Sequence, residues 1–415
     1  MIMHLHHTNC RHLFQKTLFV SLLSLSIVTG TLLSGCTTVY AENRAGEETT
    51  RESTSSGPKT AAKSALLMEA STGTVIYEKN ADERLRPASV TKIMTLLLIF
   101  EALENNQFSL EDSVTVSEHA ASMGGSQVYL EPGETQTVND MIKCISIASA
   151  NDASVAMAEF VAGSEPAFVD LMNRKAKELG MNNTTFANCC GLEAEGHLTT
   201  ARDIALMSRE LITRHPQIHD YCTVWQDSII HHTRRGDSEF GLTNTNKFLK
   251  QYTYANGLKT GYTSLSKYCI SATAKKDSLQ LITVLMAEPD IASRVADLQT
   301  CMDYGFSRCK LYTDANEDAL PPVPVSHGTV AQLQLRYDGP MKYLDTDGRD
   351  LSLIEKELSL PDTVEAPVHE NDIIGEAVYT LNGTLLSSVS IRAAETIEQA
   401  DFQFFFVKAA RSFFL

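Results

Sequence analysis

The sequence predicts an α+β domain followed by a small all-β domain, and three observations lead there. Strand-like runs sit at both ends of roughly the first 315 residues, with a middle that reads as helix between them. Past a proline-rich stretch, Pro321-Pro322-Val323-Pro324, the remaining runs are short and β-like. The length, 415 residues, suits two domains and is ample for a buried core. Strands that enclose a helical middle imply one mixed or antiparallel sheet with its helices segregated.

The elements follow in order. Arg11 and Lys16 precede an apolar run from Leu18 to Leu33, which reads as an export signal. Two processing readings stay open. Leu33-Ser34-Gly35-Cys36 has the form of a lipobox that would make Cys36 a lipidated first residue, and Val39-Tyr40-Ala41 has the form of an ordinary cleavage site. Residues 1–41 are therefore taken as leader and residues 42–61, rich in Glu, Thr, Ser and Gly, as a solvated linker. Ala65–Met68 and Thr74–Tyr77, joined by Ser71-Thr72-Gly73, read as a hairpin of buried strands. A long apolar helical pattern starts after Pro87, residues 137–180 carry helical patterns, and Tyr268–Ala274 with Leu279–Met286 read as two more strands. This first domain is placed at residues 62–315, with a hinge expected at Pro321–Pro324. The second, at residues 316–395, holds runs at Thr329–Leu335, Glu376–Leu381 and Leu385–Ile391, with Asn382-Gly383 as a type I′ hairpin signal. Residues 396–415 are rich in Phe, with Lys408 and Arg411 among them. They are too short to span a bilayer and fit an amphipathic helix at a membrane surface, the alternative being a helix packed on its own domain.

Composition excludes several classes. A net charge of −16 with no Lys/Arg run argues against a nucleic-acid partner. Of nine cysteines, seven lie beyond the leader, an odd number without regular spacing and with no C-x-x-C word. With H-E-x-x-H absent as well, no metal and no cofactor are expected. G-x-S-x-G is missing, which disfavours the hydrolase fold built on that elbow.

The chemistry lies in three words. S-x-x-K occurs four times, at Ser56, Ser89, Ser264 and Ser307, but only Ser89-Val90-Thr91-Lys92 opens onto a long apolar helix able to bury it. Three positions apart, a hydroxyl and an amine share a helix face, so the lysine can act as base to the serine. Ser149-Ala150-Asn151 lies 60 positions after Ser89, and Lys259-Thr260-Gly261 lies 110 positions after Ser149. S-x-x-K, S-x-N and K-T-G in that order are the signature of penicillin-binding proteins and serine β-lactamases. The surrounding words, Pro87–Thr95, Ser149–Ala153, Gly257–Thr263 and Gly196–Asp203, with Ala366-Pro367-Val368 further on, resemble the D-alanyl-D-alanine carboxypeptidases, the low-molecular-weight penicillin-binding proteins. The resemblance spans roughly residues 60–395.

What the resemblance implies is a serine peptidase that removes the terminal D-alanine from peptidoglycan stem peptides ending in D-Ala-D-Ala and is acylated by β-lactams, working outside the cytoplasmic membrane. It makes Ser89 the nucleophile, Lys92 the base and Ser149 the proton relay. Asn151, Lys259, Thr260, Gly261 and Tyr262 become substrate contacts, Tyr262 and Ser89 lending backbone N–H groups to an oxyanion. Thr263 and Arg294 are weaker candidates for carboxylate recognition, Arg294 reading rather as a surface or structural arginine. Ser149 and Asn151 also suit helix capping, and His197 reads as a loop-ordering residue. Two other functions are weighed. A β-lactamase would need an E-x-x-L-N word that is absent, and a silent wall-binding protein would not be expected to keep Ser89 and Lys92. Asn188-Cys189-Cys190-Gly191 resembles a sporulation-associated subgroup, which leaves vegetative wall and spore cortex open.

Overall fold

The computed structural model describes residues 57–413 apart from position 235. The leader and the linker as far as residue 56 lie outside the described residues. Strands β1 (Ser64–Glu69) and β2 (Val75–Lys79) form the expected hairpin. Helix α1 (Lys92–Glu104) follows, and it is apolar on nearly every side because it runs through the interior: Ile93, Met94, Leu96, Leu97 and Ile99 are all buried. Burying each such side chain contributes about 1.5–3 kcal/mol, which fixes the helix end that carries Lys92. Helices α2 (Val138–Lys143), α3 (Asn151–Ala162), α4 (Glu165–Glu178) and α5 (Ala201–Arg214) complete the helical middle, and α3, α4 and α5 all pack on α1.

A hairpin of β3 (Gln226–Thr233) and β4 (Gly236–Thr243) precedes the second half of the main sheet. Strands β5 (Ala255–Thr263), β6 (Lys267–Lys276) and β7 (Leu279–Glu288) then join the first hairpin in one antiparallel sheet, ordered β2-β1-β7-β6-β5. Register places Lys259 opposite Ser271 and Gly261 opposite Cys269. Helix α6 (Ile291–Arg308) covers one face and α5 the other. The K-T-G strand is thus the sheet's outer edge, facing the turn that precedes α1.

The β-rich remainder begins a little earlier than expected. β8 (Lys310–Asp314) already pairs with Met341–Asp345, so the change of sheet falls directly after α6. The expected hinge is not a break in structure: β9 (Val323–Ser326) runs antiparallel to Gln332–Leu333 and parallel to Val364–Glu365, with Pro324 tolerated in a short strand. Beyond it, β10 (Ile354–Ser359), β11 (Ile373–Leu381) and β12 (Thr384–Ala393) form most of a four-stranded sheet around Ala377, Tyr379 and Ile391. Asn382 and Gly383 both take positive φ, 51° and 75°, as a type I′ turn requires. Helix α7 (Phe402–Phe413) ends the described chain with Phe402, Phe405, Phe406 and Val407 exposed. Among the described residues, no helix is long and apolar enough to cross a membrane.

Candidate active site

Ser89 lies on a single 3₁₀ turn, Ala88–Thr91, that runs into α1 at Lys92. The sequence suggests an α-helical pair, but the tighter turn serves better: with three residues per turn, positions i and i+3 eclipse. Nζ of Lys92 is 3.1 Å from Oγ of Ser89.

Lys92 is wholly buried, and two other acceptors hold its nitrogen, Oδ1 of Asn151 at 2.6 Å and the Cys190 carbonyl at 2.7 Å. Burial disfavours its ammonium form and lowers its pKa below the usual lysine value, although the Cys190 and Cys189 thiols and Asp152 pull the other way. Nδ2 of Asn151 donates one N–H to the Gly124 carbonyl at 2.6 Å, so the amide positions Lys92 and retains a second N–H. The S-x-N side chains do not cap the helix. Ala150 occupies the cap position of α3 without a side-chain bond, and Ser149, buried, stands in the left-handed conformation (φ 62°) at the end of a π turn, Cys144–Ala148.

The third word closes the pocket. A Cβ on Gly261 would sit 2.8 Å from the Pro87 carbonyl oxygen and 3.0 Å from the Ser89 nitrogen, so only glycine lets this strand lie against the nucleophile's turn. Lys259 is buried, with Nζ donating to the Thr260 carbonyl at 3.1 Å. Its pKa is driven well below the ordinary value by burial and then by the nearby charges of Lys92 and Arg294. Thr260 meets Oγ1 of Thr245 at 2.8 Å, a hydroxyl pair with hydrogen-bonding capacity left over. Tyr262 is exposed and packs on Tyr268, ring centroids 4.4 Å apart. Arg294, read from sequence as a surface or structural residue, is buried beneath this strand. Its guanidinium lies 5.7 Å from the Tyr268 ring and its Nε has no partner. Thr263 is tied to Ser266 and Glu193, and Glu193 pairs with Arg86 at 2.9 Å, closing the rim.

His197 orders the loop beside the site rather than facing the hydroxyl. Its Nδ1 accepts from the Ala187 N–H at 3.0 Å, which leaves Nε2 to donate to Oγ1 of Thr91 at 2.9 Å. Burial lowers its pKa to about 4, keeping the ring neutral.

Sequence reasoning misses the main-chain partners. The Cys190 carbonyl reaches Lys92 because Gly191 adopts φ +86° directly against Ala88, where a Cβ would stand 1.9 Å from the carbonyl oxygen. Gly191 was visible in the Asn188-Cys189-Cys190-Gly191 word, but no side-chain pattern marks a carbonyl. Glu193 and Thr245 carried no signal. All seven cysteines of the described residues are free and buried.

A family model described as D-alanyl-D-alanine carboxypeptidase matches residues 51–290 of this chain. The D-alanyl-D-alanine carboxypeptidase DacF of Bacillus subtilis (strain 168) is 42% identical over 342 residues, 82% of this chain and 87% of that protein. The chain belongs to the D-alanyl-D-alanine carboxypeptidase family. DacC of Escherichia coli (strain K12), a further member by name, is 31% identical over 360 residues, 85% of this chain and 88% of its own. Among solved structures, penicillin binding protein 5 from Haemophilus influenzae superposes with a TM-score of 0.70 at 25% identity, covering 82% of this chain and 99% of that one. The PBP3 of Streptococcus pneumoniae gives 0.65 at 26% identity, covering 82% and 100%. The fold is that of the penicillin-binding proteins, an α+β peptidase region followed by a sheet-rich one.

Proposed function

We propose that this serine-type D-Ala-D-Ala carboxypeptidase uses Ser89 as nucleophile and Lys92 as base to remove the terminal D-alanine of peptidoglycan stem peptides. The observation that carries the assignment is the bonding at Nζ of Lys92. A neutral amine has two N–H bonds and one lone pair. Asn151 Oδ1 and the Cys190 carbonyl take the two donors at the shorter distances, and the lone pair is left for the Ser89 hydroxyl at 3.1 Å. Burial disfavours the ammonium form, and the unprotonated lysine that a general base must be has a place here for both its N–H groups and its lone pair.

The steps follow. Lys92 takes the Oγ proton as Oγ bonds to the carbonyl carbon of the penultimate D-alanine. The resulting oxyanion faces the backbone N–H groups of Ser89 and Tyr262, donors of a kind worth about 3 kcal/mol each. The C–N bond then breaks, and the departing nitrogen receives a proton through Ser149. Water, activated by the same base, cleaves the ester and frees Ser89. The substrate carboxylate is met by Thr260 and by the Lys259–Arg294 pair. An arriving anion favours protonation of Lys259, offsetting the burial that drives its proton off.

A β-lactam presents its carbonyl in the same place and forms the same ester. The reading also covers location. Residues 1–41 act as an export leader, with lipidation at Cys36 or cleavage after Ala41, and the exposed phenylalanines of α7 rest on a membrane surface. Residues 62–315 form the catalytic domain and 316–395 a spacer. A spore-cortex role is supported only by the Asn188–Gly191 word.

The test is to incubate purified protein with a fluorescent penicillin and with diacetyl-Lys-D-Ala-D-Ala. Covalent labelling lost in Ser89→Ala, together with D-alanine release, is expected. Rapid penicillin turnover without D-alanine release, or no labelling at all, would overturn the reading.

A further inference from the structure

Behind the pocket lies a group of side chains that the reaction does not use. The Sγ atoms of Cys189 and Cys190 and a carboxylate oxygen of Glu165 all fall within 4.8 Å of one another. Both thiols are free and buried, and Glu165, at the start of α4, is largely covered. Its carboxylate is already aimed: one oxygen accepts the Cys189 N–H at 3.1 Å, and the other meets Nε2 of His119 at 3.0 Å. A carboxylate oriented by a histidine is the outer support that metal sites use. Two sulfurs and one carboxylate oxygen suit a borderline-soft cation, whereas calcium and magnesium prefer oxygen alone. Around zinc, with bonds of about 2.3 Å to sulfur and about 2.0–2.2 Å to oxygen, tetrahedral ligand atoms stand roughly 3.5–4 Å apart, so closing the present spread takes only a small inward shift.

We propose that Glu165, Cys189 and Cys190 form a binding site for one thiophilic divalent cation such as zinc, and that this cation acts on Lys92 through the backbone the cysteines share. Each thiol releases its proton to solvent as its sulfur binds the ion. The link to the active site is direct. The Cys190 carbonyl accepts from Nζ of Lys92 at 2.7 Å, and the Cys189 carbonyl accepts from Oγ1 of Thr95 at 2.5 Å. Drawing the two sulfurs together turns the peptide between them, whose Cys189 carbonyl holds Thr95, and with it shifts the next peptide, whose Cys190 carbonyl holds the base. Adjacent cysteines lack the C-x-x-C spacing that flags zinc sites, so the expectation of no metal is revised here by geometry. The link to Lys92 rests on the base role proposed above; uptake of the ion does not.

The experiment titrates the reduced, chelator-stripped full chain with cadmium ion and follows the thiolate-to-cadmium charge-transfer band. One ion per chain is expected. Cys190→Ser should weaken uptake by more than about 100-fold, and His119→Ala, a change on the exposed side that leaves the fold intact by thermal unfolding, by roughly 10–100-fold. No band in the unmodified chain, or uptake unchanged in both variants, would overturn the site. Penicillin acylation of the loaded chain should be slower by about fivefold, the scale of one disturbed hydrogen bond. An unchanged rate would overturn the link to Lys92. A metal-free chain that fails to acylate counts against the Ser89–Lys92 reading and leaves the uptake result standing.

Discussion

Ser89 and Lys92 share their spacing with Ser307 and Lys310, yet Lys92 is buried while Ser307 and Lys310 are both exposed. Ser307 lies near the end of α6 and Lys310 starts β8, so the second pair straddles a boundary between elements. Ser264, in the turn after β5, and Lys267, the first residue of β6, are exposed as well. What separates the pairs is the surroundings. Ser89 lies on the turn that leads into a helix buried from Lys92 to Phe100, and two distant segments close over it, one supplying the Asn151 amide and the other the Cys190 carbonyl. A lysine surrounded in this way loses water, and burial lowers its pKa below the ordinary value.

The comparison can be broken or sharpened in order of effect. Ser89→Ala should lower acylation by a factor on the order of 10⁶, as nucleophile removal does in other serine enzymes, while Ser307→Ala should leave it unchanged; labelling rates with a fluorescent penicillin decide this. Lys92→Met fills the same space without a base and should lower acylation by roughly 10²–10⁴ while the chain stays folded by circular dichroism. In the unmodified protein, acylation should climb with pH through a midpoint below the ordinary lysine value of 10.5, because the buried amine sheds its proton early. Gly191→Ala forces a Cβ to within 1.9 Å of the Ala88 carbonyl at a positive φ, and should cost about 3 kcal/mol or more in urea unfolding.

The last test concerns His197. The unfolded chain binds its proton near 6.5 and the folded chain only near 4, so this contribution is complete above 6.5 and lost as pH falls to 4. The gap is worth about 3 kcal/mol. In His197→Phe the unfolding free energy should vary with pH by one proton less across that window.

Much of the catalytic arrangement was legible because it is written in short words that carry their own local structure. Ser-Val-Thr-Lys before an apolar helix specifies both the turn and its burial. The Lys259-Thr260-Gly261 strand is flanked by the alternating and apolar runs that make β6 and β7. The parts that stayed hidden are those supplied by main chain or by tertiary contact. The Cys190 and Gly124 carbonyls are acceptors that any residue could provide, so no letter marks them. The part of Asn151 in holding Lys92 stayed hidden because the lysine and the carbonyl it bonds lie 59 and 27 positions away. Surface and structural readings of Arg294 stayed open because nothing in its own helix shows that Tyr268 covers it. The start of the second sheet was placed late because Lys310–Asp314 finds its partner only at Met341–Asp345.

One feature of the main sheet bears on what the enzyme can accept. β5 is paired on one side only among the described residues, which leaves an outer row of N–H and C=O groups on the strand that Gly261 brings against the Ser89 turn. An extended peptide can add there as a sixth strand, gripped by its amides rather than by its side chains. Such an edge measures the path of a chain and the position of its free end. It is suited to a ligand whose last two side chains are methyl groups, with little else to hold.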